Sequence, residues 1–206
     1  VEHSGNIIKL LKYLTQINTN YFKKSAISND IAISNYDLWK YIWVLKETFF
    51  IKMLKPFFIN KIKTISKTNE VFFSDLWIYN FLLKNFNEIS IRTDKWILIE
   101  NFVFVELSKT KNILDELYFY RDKNQLEVDF ILKQSDRIIP IEVKSWTYNK
   151  IPANLLNFCV KNNLTKAILF NKDIFKKEEK KWITIFYIPY FLAWRLSCLL
   201  KEYLKN

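Results

Sequence analysis

Two short runs hold the residues best suited to chemistry: Glu127-Val-Asp129-Phe-Ile-Leu132 and, after a polar link, Ile139-Pro-Ile-Glu142-Val-Lys144-Ser145. Both alternate in the manner of strands, so Glu127 and Asp129 are expected on one face, and Glu142 and Lys144 on one face. If the hairpin closes with Leu132 opposite Ile139, Asp129 meets Glu142 and Glu127 meets Lys144. Val128, Phe130, Ile141 and Val143 then turn to the core. Two carboxylates opposed on a sheet face repel each other unless a cation lies between them. Oxygen ligands of this kind suit Mg²⁺ or Mn²⁺. A lysine two residues further on can hold or deprotonate an attacking water and stabilise charge on phosphoryl oxygens. Phosphodiester hydrolysis needs these parts and neither histidine nor cysteine. The same spacing also suits an ordinary cross-strand ion pair between Lys144 and Glu127, worth ~0.2–1 kcal/mol, with Asp129 and Glu142 facing water. Alternation alone leaves both readings open.

Composition narrows the alternatives. The chain has 206 residues, 50% hydrophobic and 26% charged, enough apolar material for a substantial core in one large domain or two small ones. One histidine and two cysteines, Cys159 and Cys198, exclude a disulfide scaffold, a zinc knuckle and a histidine-based triad. A reducing, cytoplasmic setting is expected. Gly5 is the sole glycine, so no glycine-rich phosphate loop and no nucleotide site of that kind exists within the chain. Net charge is +11, from 32 basic and 21 acidic residues, and it is spread along the chain. That excess favours a nucleic-acid partner through long-range attraction, although the Lys-, Asn- and Ile-rich usage of AT-rich codons produces the same sign. Residues 182–200 carry one charge, Arg195, but Pro189 divides them and 184–187 read as strand, so no membrane span is expected.

The elements that must position these residues fall into two parts, 1–76 and 77–206. An apolar stripe predicts a helix over 5–20, a short one over 25–32, and a third starting at Ser34, with Asp37 completing a capping-box-like start. Extended runs over 49–59 and 70–74 flank a lysine-bearing stretch at 60–69. Three helices and a hairpin with a basic tip is the order of a winged helix-turn-helix. Its third helix offers Lys40 but no arginine for guanine. Lys61, Lys63 and Lys67 in the wing suit phosphates, which position without specifying sequence. The domain serves equally as a packing adaptor. In the second part, the pattern predicts a helix over 94–108, strands over 117–121, 126–132 and 137–144, a helix over 154–160 and a strand over 167–170. A charged loop, a strand over 182–188 and a final helix complete an α/β (α+β) fold with a mixed sheet flanked by helices.

Asp129 followed by Glu142-Val-Lys144 resembles the metal-site signature of the PD-(D/E)XK, restriction-endonuclease-like superfamily. The blocks Ile99-Glu-Asn-Phe-Val-Phe-Val-Glu-Leu107, Tyr118-Phe-Tyr-Arg121, Glu127-Val-Asp-Phe130 and Ile139-Pro-Ile-Glu-Val-Lys-Ser145 look like those of one family. It is the nuclease-like C-terminal region of prokaryotic AAA-type ATPases, usually preceded by a winged helix. Leu45-Lys-Glu-Thr-Phe49, Val71-Phe-Phe-Ser-Asp75 and Phe186-Tyr-Ile-Pro-Tyr190 extend the likeness over nearly the whole chain. Ser74-Asp-Leu-Trp77 departs from it, replacing a glycine-containing turn. The resemblance implies that Asp129 and Glu142 bind Mg²⁺ or Mn²⁺, that Lys144 is the catalytic lysine, and that Glu100 is the acid from the preceding helix. Glu106, on the same helix, is expected to be a structural or surface acid. A P-loop ATPase module would lie N-terminal to Val1 or act in trans. Nuclease-like folds also serve as non-catalytic interaction modules, so a regulatory coupler of an ATPase to DNA or to a protein is the rival expectation.

Overall fold

The Ser34 hydroxyl accepts a hydrogen bond from the Asp37 amide at 3.0 Å and donates to the Asp37 carboxylate at 2.6 Å, fixing the start of the third helix. In the computed structural model, which describes residues 2–58, 68–135 and 137–203, that helix is α3 (Asn35–Glu47). It follows α1 (Glu2–Gln16), a two-residue strand β1 (Asn20–Tyr21) and α2 (Lys24–Asp30). Strands β2 (Ile51–Pro56) and β3 (Glu70–Phe73) pair antiparallel and precede α4 (Leu76–Leu83), at whose first residue the expected division of the chain falls. The wing positions Lys61, Lys63 and Lys67 lie outside the described residues. Leu10, Leu14, Leu38, Ile42, Ile51, Val71 and Phe73 close one core, with Tyr79 of α4 and Leu98 of the next helix in the same cluster.

That helix, α5 (Lys95–Thr110), leads into β4 (Asp115–Arg121), β5 (Glu127–Gln134) and β6 (Arg137–Val143). Then come α6 (Ala153–Lys161), β7 (Lys166–Asn171), β8 (Lys176–Lys180), β9 (Ile183–Pro189), a 3₁₀ segment (Tyr190–Arg195) and α7 (Leu196–Tyr203). Among the described residues the strands form one mixed sheet of nine, ordered β1-β3-β2-β4-β5-β6-β7-β9-β8. Two parallel pairs, Lys55 with Tyr118 and Pro56 with Phe119, join the N-terminal hairpin to the central strands. Phe104 and Leu107 of α5 and Leu196 of α7 pack with Phe130, Ile141 and Ile168 on one face. On the other face, Leu155, Phe158 and Cys159 of α6 pack with Val128, Ile131 and Ile185. The sheet is thus covered on both sides, and β6, β7 and β9 run as nearly continuous apolar strands, as parallel neighbours demand.

The structure differs from the sequence reading at residues 171–181. The segment expected as a charged loop contains β8, which pairs antiparallel with the apolar β9. Its Lys-Lys-Glu-Glu-Lys sequence has little strand propensity, but it forms the exposed edge of the sheet, where charge discourages further pairing. Lys176–Glu178 and Lys177–Glu179 contacts at 2.8 and 3.2 Å balance it locally. The final helix is also shorter than expected, because its first six residues form the 3₁₀ segment after Pro189. Among the described residues no helix is long and apolar enough to cross a membrane.

A buried clamp connects the two halves. Asn101 of α5 is fully buried, accepts from the Phe73 amide at 2.9 Å and donates to the Phe73 carbonyl at 2.7 Å. Both backbone groups of Phe73 are satisfied by this one side chain. Asn101→Ala leaves them without a partner and should cost about 2 kcal/mol of unfolding free energy, read from a denaturant midpoint. An unchanged midpoint would mean that water replaces the amide.

Candidate active site

The β5–β6 ladder pairs Leu132 with Ile139 and Phe130 with Ile141, the register expected from alternation. Towards Asp129, however, the neighbouring β4–β5 ladder shifts: Tyr118 faces Ile131, whereas Tyr120 faces Val128. β5 therefore carries an extra residue, a bulge, which resets its side-chain alternation. Val128 and Ile131 lie in the core under α6, whereas Phe130 and Leu132 lie under α5. The expectation that Val128 shares a core face with Phe130, Ile141 and Val143 is thereby corrected. The pairing of Glu127 with Lys144 is corrected as well. Glu127 contacts Arg121 at 3.5 Å, and the Lys144 ammonium donates instead to Glu142 Oε1 at 2.7 Å.

The bulge adjoins a cleft of about 530 Å³ lined by Glu100 and Trp96 of α5, Arg121, Glu127, Asp129 and Lys144. Asp129 is anchored because its Oδ2 accepts the Val143 amide at 2.7 Å. The Lys144 amide donates to the Phe170 carbonyl at 2.8 Å, extending the β6–β7 ladder and fixing the base of the lysine. Glu142 is buried behind it. Its Oε1 accepts from Lys144, and its Oε2 has no hydrogen-bond partner among the described residues.

The electrostatics follow from this crowding of acids. Burial, followed by the charge of Glu142, pushes the Asp129 carboxyl well above its ordinary value. Burial and the charges of Asp129 and Glu70 do the same to Glu100. Burial also raises Glu142, against the opposing pull of Lys144. For Lys144, burial alone would lower the ammonium, but Glu142 and Asp129 together outweigh it and hold the group above its usual value. The lysine stays charged.

In the sequence Glu70 marks only the start of an extended run. It is buried at the head of β3. Burial, then the charges of Glu127 and Asp129, raise it to about 9, with Arg121 acting in opposition. The available signal was an acid opening an otherwise apolar run, Glu70-Val-Phe-Phe. Arg121 also lies over the Tyr21 ring at 5.2 Å, so the N-terminal part contributes to the surroundings of the cleft. Lys40 is exposed on α3 and does not line the cleft, and Glu106 pairs with Lys109 at 3.0 Å on the surface of α5.

A divalent cation suits this donor set on two counts. Glu142 Oε2 is an orphaned buried oxygen, and the mutual repulsion of Asp129, Glu142 and Glu100 is relieved by positive charge. As the side chains stand, among the described residues no three His, Cys, Asp or Glu groups converge closely enough to enclose an ion, and Lys144 supplies the positive charge beside Glu142.

Fold and cleft thus define a mixed α/β protein with an acid-and-lysine site at a bulged strand. Residues 97–191 match a family described as a domain of unknown function (DUF4143), and residues 1–89 match another domain of unknown function (DUF8612). An uncharacterized protein of Methanocaldococcus jannaschii is 30% identical over 139 residues, covering 63% of this chain and 30% of that protein. The match therefore spans less than a third of that relative's length.

Proposed function

We propose that the cleft hydrolyses phosphodiester bonds of nucleic acid, DNA in preference to RNA, with Mg²⁺ or Mn²⁺. The fold of this reading is a winged helix followed by a PD-(D/E)XK nuclease-like domain in the cytoplasm, working with a P-loop ATPase module in cis or in trans. The observation that carries it is Glu142. A carboxylate is buried with one oxygen unpartnered, beside a second carboxylate that its charge helps to push up, and within 2.7 Å of a lysine. Leaving a buried acceptor unsatisfied costs about 1–3 kcal/mol, and a cation held by the carboxylate would remove that cost.

In this reading Asp129 and Glu142 hold the cation, with Glu100 assisting directly or through water. The cation would supply Lewis-acid charge to the phosphoryl oxygens and lower the pKa of a bound water. Lys144 Nζ, kept protonated by its neighbours, donates a hydrogen bond to the nucleophilic water or to a phosphoryl oxygen and stabilises charge that develops there. The Val143 amide holds Asp129 in orientation while it does so. Lys40 and the wing lysines Lys61, Lys63 and Lys67 remain the nucleic-acid contacts this reading assigns to the first part of the chain.

A second reading, a non-catalytic module that couples an ATPase to DNA or to a protein, is favoured by one surface feature. Trp77 stacks on Phe81 with ring centroids 5.4 Å apart, yet the two are 62% and 58% exposed. Exposed stacked aromatics of this size are typical of interface anchors.

The test combines cleavage with metal binding. Labelled single-stranded, duplex and branched DNA and RNA are incubated with Mg²⁺ or Mn²⁺, and Mn²⁺ binding is followed by calorimetry. Metal-dependent cutting by the native chain, with both cutting and Mn²⁺ binding abolished in Asp129→Ala, is the expected result. Because the carboxyls titrate high, Mn²⁺ uptake should release protons and strengthen as pH rises. Native chain that neither cuts nor binds Mn²⁺ would move the assignment to the coupling module.

A further inference from the structure

A second cleft, of about 580 Å³, opens where β2 and β4 diverge. Their parallel ladder holds only the two pairs at Lys55 and Pro56, so the earlier residues of both strands splay apart over the last turns of α5. Its basic lining comes from Lys46, Lys52, Lys55 and Lys111. We propose that this cleft is a binding groove for single-stranded nucleic acid, with the lysines taking backbone phosphates and the Phe49 ring stacking on a base. It lies apart from the acidic cleft and needs no metal.

Three observations support the assignment. The first is that helix ends account for some of these lysines but not for all. Lys46 sits in the last turn of α3 and Lys111 just beyond that of α5, where cations offset the helix dipole. Lys52 and Lys55 lie on a strand and have no such reason to be there.

The second is Lys52 itself. It is half-buried, and burial together with the charges of Lys111 and Lys109 holds its ammonium below its usual value, with no acid acting in the other direction. The cleft also contains two acids, Asp115 and Glu116, and Lys111 Nζ donates to the Asp115 carbonyl at 2.8 Å. Asp115 Oδ2 accepts from the Asn112 amide, the Asn112 side chain and Gln134, and Glu116 pairs with Lys133 at 3.0 Å. Four lysines against two acids still leave the groove with a net positive charge, which favours an anionic occupant.

The third is Phe49, at the mouth of the cleft. It takes the left-handed conformation, φ 58°, that closes α3, where the Phe50 amide donates to the Leu45 carbonyl at 2.9 Å, and the residue is 73% exposed. An exposed aromatic ring beside lysines matches the stacking platform of single-strand binders, in which rings meet bases and cations meet phosphates.

The test reads binding alone, in EDTA, so its outcome is separable from whether the acidic cleft cuts. Anisotropy of a labelled oligothymidylate is measured against salt for the native chain, Lys52→Gln/Lys111→Gln and Phe49→Ala. Lys172→Gln/Lys180→Gln, which removes equal charge elsewhere, is the control. Losing two phosphate contacts should lower the slope of log K against log salt by about 1.4 and weaken low-salt binding on the order of tenfold. Phe49→Ala should weaken binding about tenfold while leaving the slope unchanged. The control should behave like the native chain, and thermal melts should show all variants folded. Indistinguishable effects of the groove and control pairs would overturn the groove. Blunt duplex binding as tightly as the single strand would overturn its assignment to single strands.

Discussion

Lys144→Ala is expected to lower metal-dependent DNA cleavage about 10²–10³-fold while Mn²⁺ binding is retained or tightened, the loss typical of removing one preorganised donor at a developing charge. The separation of the two readouts follows from geometry. Lys144 Nζ lies 2.7 Å from Glu142 Oε1, so it competes with any cation for that carboxylate. Removing it exposes Glu142 and Asp129 to each other's charge, which raises their demand for a cation and removes the group placed to act on phosphate. Single-turnover cleavage of labelled DNA measures the first effect and Mn²⁺ calorimetry the second. A mutant that cuts at the native rate would exclude Lys144 from the chemistry. A mutant that loses Mn²⁺ would make the lysine a structural support. The Lys144–Tyr148 contact, 6.0 Å from ammonium to ring centroid, offers a check on folding, because Tyr148→Phe should preserve it and leave cleavage intact.

Much of this site was legible because strand alternation is a local property. Leu132 and Ile139 bracket a short polar link, so closing the hairpin with these residues opposed follows from pattern alone, and the observed ladder has that register. What the pattern missed is one residue of slack. A bulge alters which face a side chain takes without altering residue types, so the resetting of alternation between Val128 and Phe130 left no mark in composition. The ion pairs changed with it. Glu127 reaches Arg121 across the β4–β5 ladder, a contact that depends on how β4 is placed, whereas Lys144 reaches back along its own strand to Glu142, with which alternation already put it on one face. Glu70 was harder still. Its proximity to the acids depends on the hairpin joining the central sheet through Lys55 and Tyr118, residues far apart in sequence whose pairing no local signal announces. β8 shows the opposite limit, since the apolar β9 supplies a ladder that Lys-Lys-Glu-Glu-Lys would not form alone.

Glu70→Gln is expected to stabilise the protein at neutral pH and to flatten its pH dependence. The Glu70 carboxyl is held at about 9 in the folded chain, first by burial and then by Glu127 and Asp129, against an ordinary value of 4.5. Between those two pH values the unfolded chain has released the proton while the folded chain retains it. The folded state therefore binds more protons, and stability falls as pH rises from about 4.5 to about 9; below that window the contribution of Glu70 is fully present. Glutamine keeps the shape and does not titrate, so the variant should gain on the order of 2–3 kcal/mol at pH 7 and nothing near pH 4. For a chain of this length that gain corresponds to roughly 5–10 °C in melting temperature. Glu100 and Asp129, also raised by burial and by neighbouring carboxylates, contribute a slope of the same sign that the variant retains, so its curve should flatten without becoming level. Thermal melts of both proteins from pH 4 to pH 9 decide the matter. Curves that run parallel would show that Glu70 is ionised and paired in the folded chain. Curves that meet at acid pH and diverge as pH rises would show a carboxylic acid kept protonated beside the cleft, where it keeps one further negative charge away from Asp129.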